Sequence, residues 1–189
     1  YLNPASYSAQ DTLSFLFDFG MIGSRSAYET QDQSFTTGNV NIDHIAISFP
    51  ITRWMVTSIG VRPYSYVGYN IKEEKLISGI FQTSVNTDLI FQGNGGLNQF
   101  FIGAGFQALE NLSIGFNMNY FFGSIERSKF LTFPFNDEYS EVRVETILEF
   151  SDLVFDLGLQ YRLNLNENFS LTLGGIYQHR TGVGLNKII

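Results

Sequence analysis

The chain has 189 residues, 16% of them aromatic, with 18 Gly, no Cys and a formal net charge of −7. That apolar and aromatic content excludes a disordered chain, and the acidic balance excludes a nucleic-acid partner, which needs a basic face. Without Cys there is no disulfide framework, thiolate metal site or Cys nucleophile.

Tyr1 opens directly on "YLNPASYSAQ", without a basic-then-apolar leader, and residues 1–11 precede the first periodic stretch. From there apolar residues recur at every second position, which is the period of a β-strand. A first strand is expected near 12–25, with Leu13, Phe15, Phe17, Phe19 and Met21 opposite Ser14, Leu16, Asp18 and Gly20. A second, near 41–49, sets Ile45, Ile47 and Phe49 against His44, Ala46 and Ser48. The third, near 54–70, places Met55, Ile59, Val61, Val67 and Tyr69 opposite Val56, Ser58, Gly60, Arg62, Tyr64 and Gly68. Its Pro63 has no N–H to give a ladder, so an interruption is expected at Gly60 to Pro63.

The fourth strand, near 98–108, has Phe100, Ile102, Ala104 and Phe106 against Gly103, Gly105 and Gln107. The fifth, near 112–126, has Leu112, Ile114, Phe116 and Met118 against Ser113, Gly115, Asn117 and Asn119. The sixth, near 146–163, is the cleanest, with Leu153 to Leu163 alternating against Asp152, Val154, Asp156, Gly158, Gln160 and Arg162. The seventh, near 169–181, opposes Phe169, Leu171, Leu173 and Tyr177 to Ser170, Thr172, Gly174 and Gln178. Each is long enough to cross a bilayer when tilted, about 9–11 residues.

The connections alternate. Tight turns are expected at 50–53, 109–111 and 164–168, and long polar loops at 26–41, 71–98 and 127–145. Outer-membrane barrels sort their loops in this way, with the short turns periplasmic. No apolar window is long enough for a transmembrane helix, and a barrel leaves no such window because lipid-facing and lumen-facing residues alternate. A soluble sandwich also alternates, but carries Lys, Glu and Thr outside. Here the second face is mostly Gly, Ser, Asn and Gln, suited to a wet or plugged interior. The expected fold is therefore an all-β transmembrane antiparallel barrel at the bacterial outer membrane, of which this chain supplies seven adjacent strands.

The polar residues expected in the lumen are Asp18, His44, Arg62, Asn117, Asn119, Asp152, Asp156, Arg162 and Arg180. Inward charges are tolerated when wet or paired, so they bridge strands or tether a plug; the sharper reading makes Arg62 an anchor for a carboxylate. Inner-face Gly103, Gly105, Gly115, Gly123, Gly158 and Gly174 make room for a plug or a guest. No catalytic constellation is present, and His44 and His179 lack the spacing of a metal pair. The acidic run "NDEYSEVRVE" (136–145) reads as a solvated loop, with Ca²⁺ binding as the alternative. No cofactor or metal is expected.

These features resemble the FadL/TodX family of outer-membrane channels for long-chain fatty acids and other hydrophobic compounds. The residues that carry the resemblance are Asn3-Pro4-Ala5, Pro50-Ile51-Thr52-Arg53-Trp54, "GNGGLNQFFIGAG" (93–105), "YFFGSIER" (120–127) and "DLGLQY" (156–161). The resemblance implies a fourteen-stranded barrel with residues 1–11 as the end of an N-terminal hatch closed by Asn3, Pro4 and Ala5. It implies passive transport of hydrophobic molecules, with a lateral opening at Gly60, Arg62 and Pro63 and the hatch nearby. Expected partners are the lipid bilayer, hydrophobic small molecules or detergent, and other outer-membrane proteins. One departure is the short 127–145 loop, where the family has a long one forming an outer groove. The alternative function is a non-transporting barrel subunit of an outer-membrane assembly or secretion complex.

Overall fold

The computed structural model describes residues 3–11, 13–29, 34–78, 84–133, 140–166, 169–180 and 184–188. A short 3₁₀ helix, Pro4–Ala9, is followed by β1 (Leu16–Glu29), β2 (Ser34–Thr52), β3 (Met55–Ser78), β4 (Ser84–Leu109), β5 (Leu112–Thr132), β6 (Val142–Asn166), β7 (Phe169–Arg180) and β8 (Gly184–Ile188). Seven strands lie in sequence order in one antiparallel sheet, β1 to β7. β8 pairs antiparallel with β6 from Ser151↔Gly184 to Ile147↔Ile188, next to the stretch of β6 that pairs with β7.

Several boundaries differ from expectation. β1 starts at Leu16 rather than near 12, because Ser14 turns back on Asp11 through its N–H and hydroxyl. The long polar loops shrink, since β2 begins at Ser34, β3 runs to Ser78, β4 begins at Ser84 and β5 runs to Thr132. A ladder needs backbone partners, not an apolar face, so polar β-formers such as Thr36 and Thr37 extend hairpins without alternation. Beyond the seventh strand, Gly184–Ile188 contribute β8.

The first tight turn is narrower than 50–53. Pro50 stays in β2 opposite Val56, at an irregularity before Thr52↔Met55, which is where a sheet tolerates proline. β3 keeps strand geometry through Gly60 and Pro63, and its register with β2 includes Ala46↔Gly60 and Ile45↔Val61.

Two compact units divide the chain. The first comprises Tyr1–Pro63, Gln99–Phe121 and Leu153–Gly182, the second Tyr64–Asn98, Phe122–Asp152 and Val183–Ile189. In the second, β4 and β5 approach at Gly95 (φ +112) and Gly123 (φ +155), where an added Cβ would meet Ser124 and Gly96 carbonyls. L side chains rarely adopt such φ, so both positions call for glycine. Lys72 Nζ there lies 2.9 Å from Asp88 Oδ2 and 3.2 Å from Glu74 Oε1.

In the first unit buried positions alternate with more open ones on β2 to β6, whereas β1 and the described side chains of β7 are exposed along nearly their whole length. Ala46, Ser48, Val56, Ser58, Gln99, Phe101, Asn117, Asn119, Val154 and Asp156 are buried on one face, which carries the 3₁₀ segment. Phe17, Ile114, Phe116, Leu157, Leu171 and Leu173 are exposed on the other.

Candidate functional site

The site is built around residues 3–10. Asn3 caps the 3₁₀ segment, its Oδ1 accepting from Ala5 N–H at 3.0 Å, and Pro4 follows where no N–H is needed. Four strands offer glycine beneath it. A Cβ on Gly105 would lie 2.7 Å from Pro4 O and 2.8 Å from Tyr7 Cβ. One on Gly115 would strike the Pro4–Ala5 peptide itself, and ones on Gly158 and Gly174 would meet the Asn3 side chain. The glycines of β4 to β7 thus form a trough one backbone deep, and Ala5 in it has 0% exposure.

Polar contacts fasten the segment at both ends. Asn3 Nδ2 donates to Leu159 O at 3.3 Å and Ser8 Oγ to Ser113 Oγ at 2.8 Å. Ser48 Oγ donates to Gln10 Oε1 at 2.6 Å, and Gln10 Nε2 donates to Ser48 O at 3.2 Å. Tyr7 points inward to Asn117 and Ser58, and burial pushes its hydroxyl up to about 12, so it stays neutral. Beside it lies a cavity of about 300 Å³ lined by Tyr7, Gln10, Asp18, Ser48 and Ser58 among others.

A second feature crosses the same face. Arg62 Nε donates to Gln99 Oε1 (2.8 Å), Gln99 Nε2 to Asn119 Oδ1 (2.8 Å), and Asn119 Nδ2 to Asp156 Oδ2 (2.6 Å). Gln178 Nε2 closes the row on Asp156 Oδ1 at 2.9 Å. One side chain from each of five adjacent strands, β3 to β7, takes part, and the amides align from guanidinium to carboxylate. Such a row polarises its members and is stable only when complete.

The remaining expected residues fall around these two features. Asn117 lies over Gly103. His44 bridges two carboxylates, Nε2 at 3.0 Å from Asp18 and Nδ1 at 2.7 Å from Asp43. Asp43 is the extra residue of the β1–β2 bulge, since Gly20 faces His44 and Met21 faces Ile42. Arg162 lines a small pocket with Ser8 and Gln107, and its N–H donates to Asn111 O at 2.8 Å. Asp152 is half-buried in β6, and the side chain of Arg180 lies outside the described residues.

Of the three residues expected to form a lateral opening, Gly60 sits under the Phe101 ring, Arg62 starts the polar row and Pro63 is exposed. Asn3, Pro4 and Ala5 lie against the glycines of β4 to β7. Sequence reasoning missed Tyr7, Gln99 and Phe101. Gln99 and Phe101 share the parity of Gly103 and Gly105, which was the available signal; Tyr7 had none.

Among the described residues no cluster of His, Asp and Glu could hold a metal ion. No match was found among curated proteins or among solved structures. A family model described as BamG matches residues 1–187. This overturns the FadL/TodX resemblance, whose motifs were each short and are satisfied by inner glycines and tight turns that do not depend on cargo. With it falls the reading as a fatty-acid channel, because BamG is a component of the outer-membrane β-barrel assembly machinery. Over essentially its whole length the chain belongs to the BamG family.

Proposed function

We propose that the chain acts as a membrane-embedded, non-transporting subunit of the outer-membrane β-barrel assembly complex, held there by other outer-membrane proteins. The family match over residues 1–187 carries this reading. The architecture supports it. The inner face of the first unit is occupied by the chain's own residues 3–10, seated in a glycine trough and fastened by side-chain hydrogen bonds. In this reading Asn3, Pro4 and Ala5 are a resident plug, and the Arg62–Asp156 row stiffens the wall behind it. The seven strands belong to a larger closed barrel, because hydrocarbon does not tolerate open sheet edges. Gly60, Arg62 and Pro63 mark the place where that wall could part, which would require Phe101 to leave Gly60.

Purification from envelopes in mild detergent tests the proposal. A subunit emerges with other outer-membrane proteins in a fixed ratio. A protein that emerges alone, with stoichiometric fatty acid in its lumen, refutes it.

A further inference from the structure

β2 has two ladders of unequal length. The one to β1 runs from Leu16↔Ser48 up to Glu29↔Ser34. The one to β3 starts at Thr52↔Met55 and stops at Ile45↔Val61. Continuing that register would set His44 against Arg62 and Asp43 against Pro63. Pro63 has no N–H to give, and Asp43 is the extra residue of the β1–β2 bulge, so the ladder fails from both sides at one level. Above it, Ser34 to His44 pair with β1 alone among the described residues. A strand crosses in about 9–11 residues. Counted from the turn at Thr52, the ladder to β3 therefore ends short of the outer boundary of the bilayer, and a free edge rises from there. Natural open edges are guarded by Lys, Pro or inward-pointing charge. Residues 34–42 read "SFTTGNVNI", without charge or proline. The register puts Ile42 beside Met21 and Val40 beside Gly23 on the Phe19 face, with Asn41, Asn39 and Thr37 on the other.

We propose that the β2 edge from Ser34 to His44 is a docking site onto which a second outer-membrane protein adds an extended segment by backbone pairing. Open N–H and C=O groups need partners, most of all at the level of hydrocarbon. The connections 30–33, 79–83 and 133–141, on the side opposite the tight turns, are too short to reach this edge and return. In strand addition, main-chain hydrogen bonds supply affinity and alternate side chains supply choice. The fitting segment is apolar toward Ile42 and Val40 and polar toward Asn41 and Asn39. A polypeptide arriving from the periplasmic side meets the closed Ile45–Thr52 ladder first. The occupant is therefore a resident neighbour reached from the outer side, and not a polypeptide in passage. That this neighbour belongs to the assembly complex rests on the subunit reading, whereas the place rests on the register alone.

Photo-crosslinking in native outer membranes tests it, with benzoylphenylalanine at Val40 or Ile42 of the full-length protein. Asn39 and Asn41 serve as a second pair if either variant fails to insert. Ile47, held between Phe17 and Ile59 in closed ladders, is the control, and its adducts must stay within the chain. Directly opposed side chains of neighbouring strands lie about 5 Å apart, within reach of the probe. The expected result is an adduct from both edge positions to one segment of one separate protein, stable through a chase. Moving the probe from Val40 to Ile42 should move the captured residue by two along that segment, as backbone pairing requires. Val40→Lys, a charge of the kind that guards edges, should remove most of the Ile42 adduct and spare the Ile47 adduct. Adducts confined to the same polypeptide, scattered over many proteins, lost during the chase or made only to lipid overturn the proposal. Co-purification in a fixed ratio without the edge adducts overturns the docking site and leaves the subunit reading standing. Edge adducts to a protein outside any fixed-ratio complex keep the docking site and overturn the subunit reading.

Discussion

Alanine at Gly105 and Gly115 should release the N-terminal segment while leaving the sheet folded. At Gly105 the new Cβ would lie 2.7 Å from Pro4 O, 2.8 Å from Tyr7 Cβ and 2.9 Å from Ser8 N. At Gly115 all three nearest atoms are backbone of Pro4 and Ala5, so no flexible side chain can give way. Overpacking of this kind costs roughly 1–3 kcal/mol. Burying a large side chain such as Tyr7 contributes roughly 1.5–3 kcal/mol, so one methyl group offsets the segment's largest contact. The undocked population should rise about 5- to 150-fold, at about tenfold for each 1.4 kcal/mol. Because the chain has no Cys, Ala5→Cys gives a single reporter at a site of 0% exposure. Maleimide should label it slowly in the parent and quickly in the Gly105→Ala and Gly115→Ala backgrounds. Gly23→Ala, where an added Cβ meets nothing within 4 Å, should leave labelling slow. Equal protection in all backgrounds would refute the trough, as would equal acceleration by Gly23→Ala.

Removing the middle of the polar row with Asn119→Ala should cost roughly 2–4 kcal/mol in urea unfolding from lipid, since buried Gln99 and Asp156 each lose a partner. A loss under half a kilocalorie would show that the row carries no stability. Phe116→Arg should cost roughly 2–4 kcal/mol in the same assay if Phe116 faces mid-bilayer, and a neutral result would reverse the assignment of faces. Docking of the N-terminal segment should weaken as pH rises from 10 to about 12. Below pH 10 Tyr7 is neutral docked or undocked, whereas above it the undocked hydroxyl ionises while burial keeps the docked one neutral. The change approaches roughly 2–3 kcal/mol, is read by Ala5→Cys labelling after brief alkaline exposure, and should vanish in Tyr7→Phe.

Strand order and faces were legible because an open apolar face and a filled inner face impose opposite demands on alternate residues. The run from Leu153 to Leu163 displays this without interruption, and the buried Asp156 lies where its parity put it. The outer reaches of the strands were not legible. Thr36, Thr37 and Val40 extend β2 through backbone pairing that leaves no apolar stripe. The inner glycines were visible as space, but not their occupant, since only the fold brings Gly105, Gly115, Gly158 and Gly174 beneath Asn3 to Tyr7. Family identity was misread for a related reason. A plug, tight turns and inner glycines are demands of any filled barrel wall, and they do not encode whether cargo passes.

The central claim, a role in barrel assembly rather than uptake, is tested most directly by depletion. Expression of the gene is shut off, and the folded, heat-modifiable fraction of several unrelated outer-membrane barrels is followed alongside uptake of a labelled long-chain fatty acid. An assembly subunit predicts a joint fall of the unrelated barrels, with uptake declining only as the barrels that mediate it are lost. Undiminished barrel levels with an immediate loss of fatty-acid uptake would contradict the account.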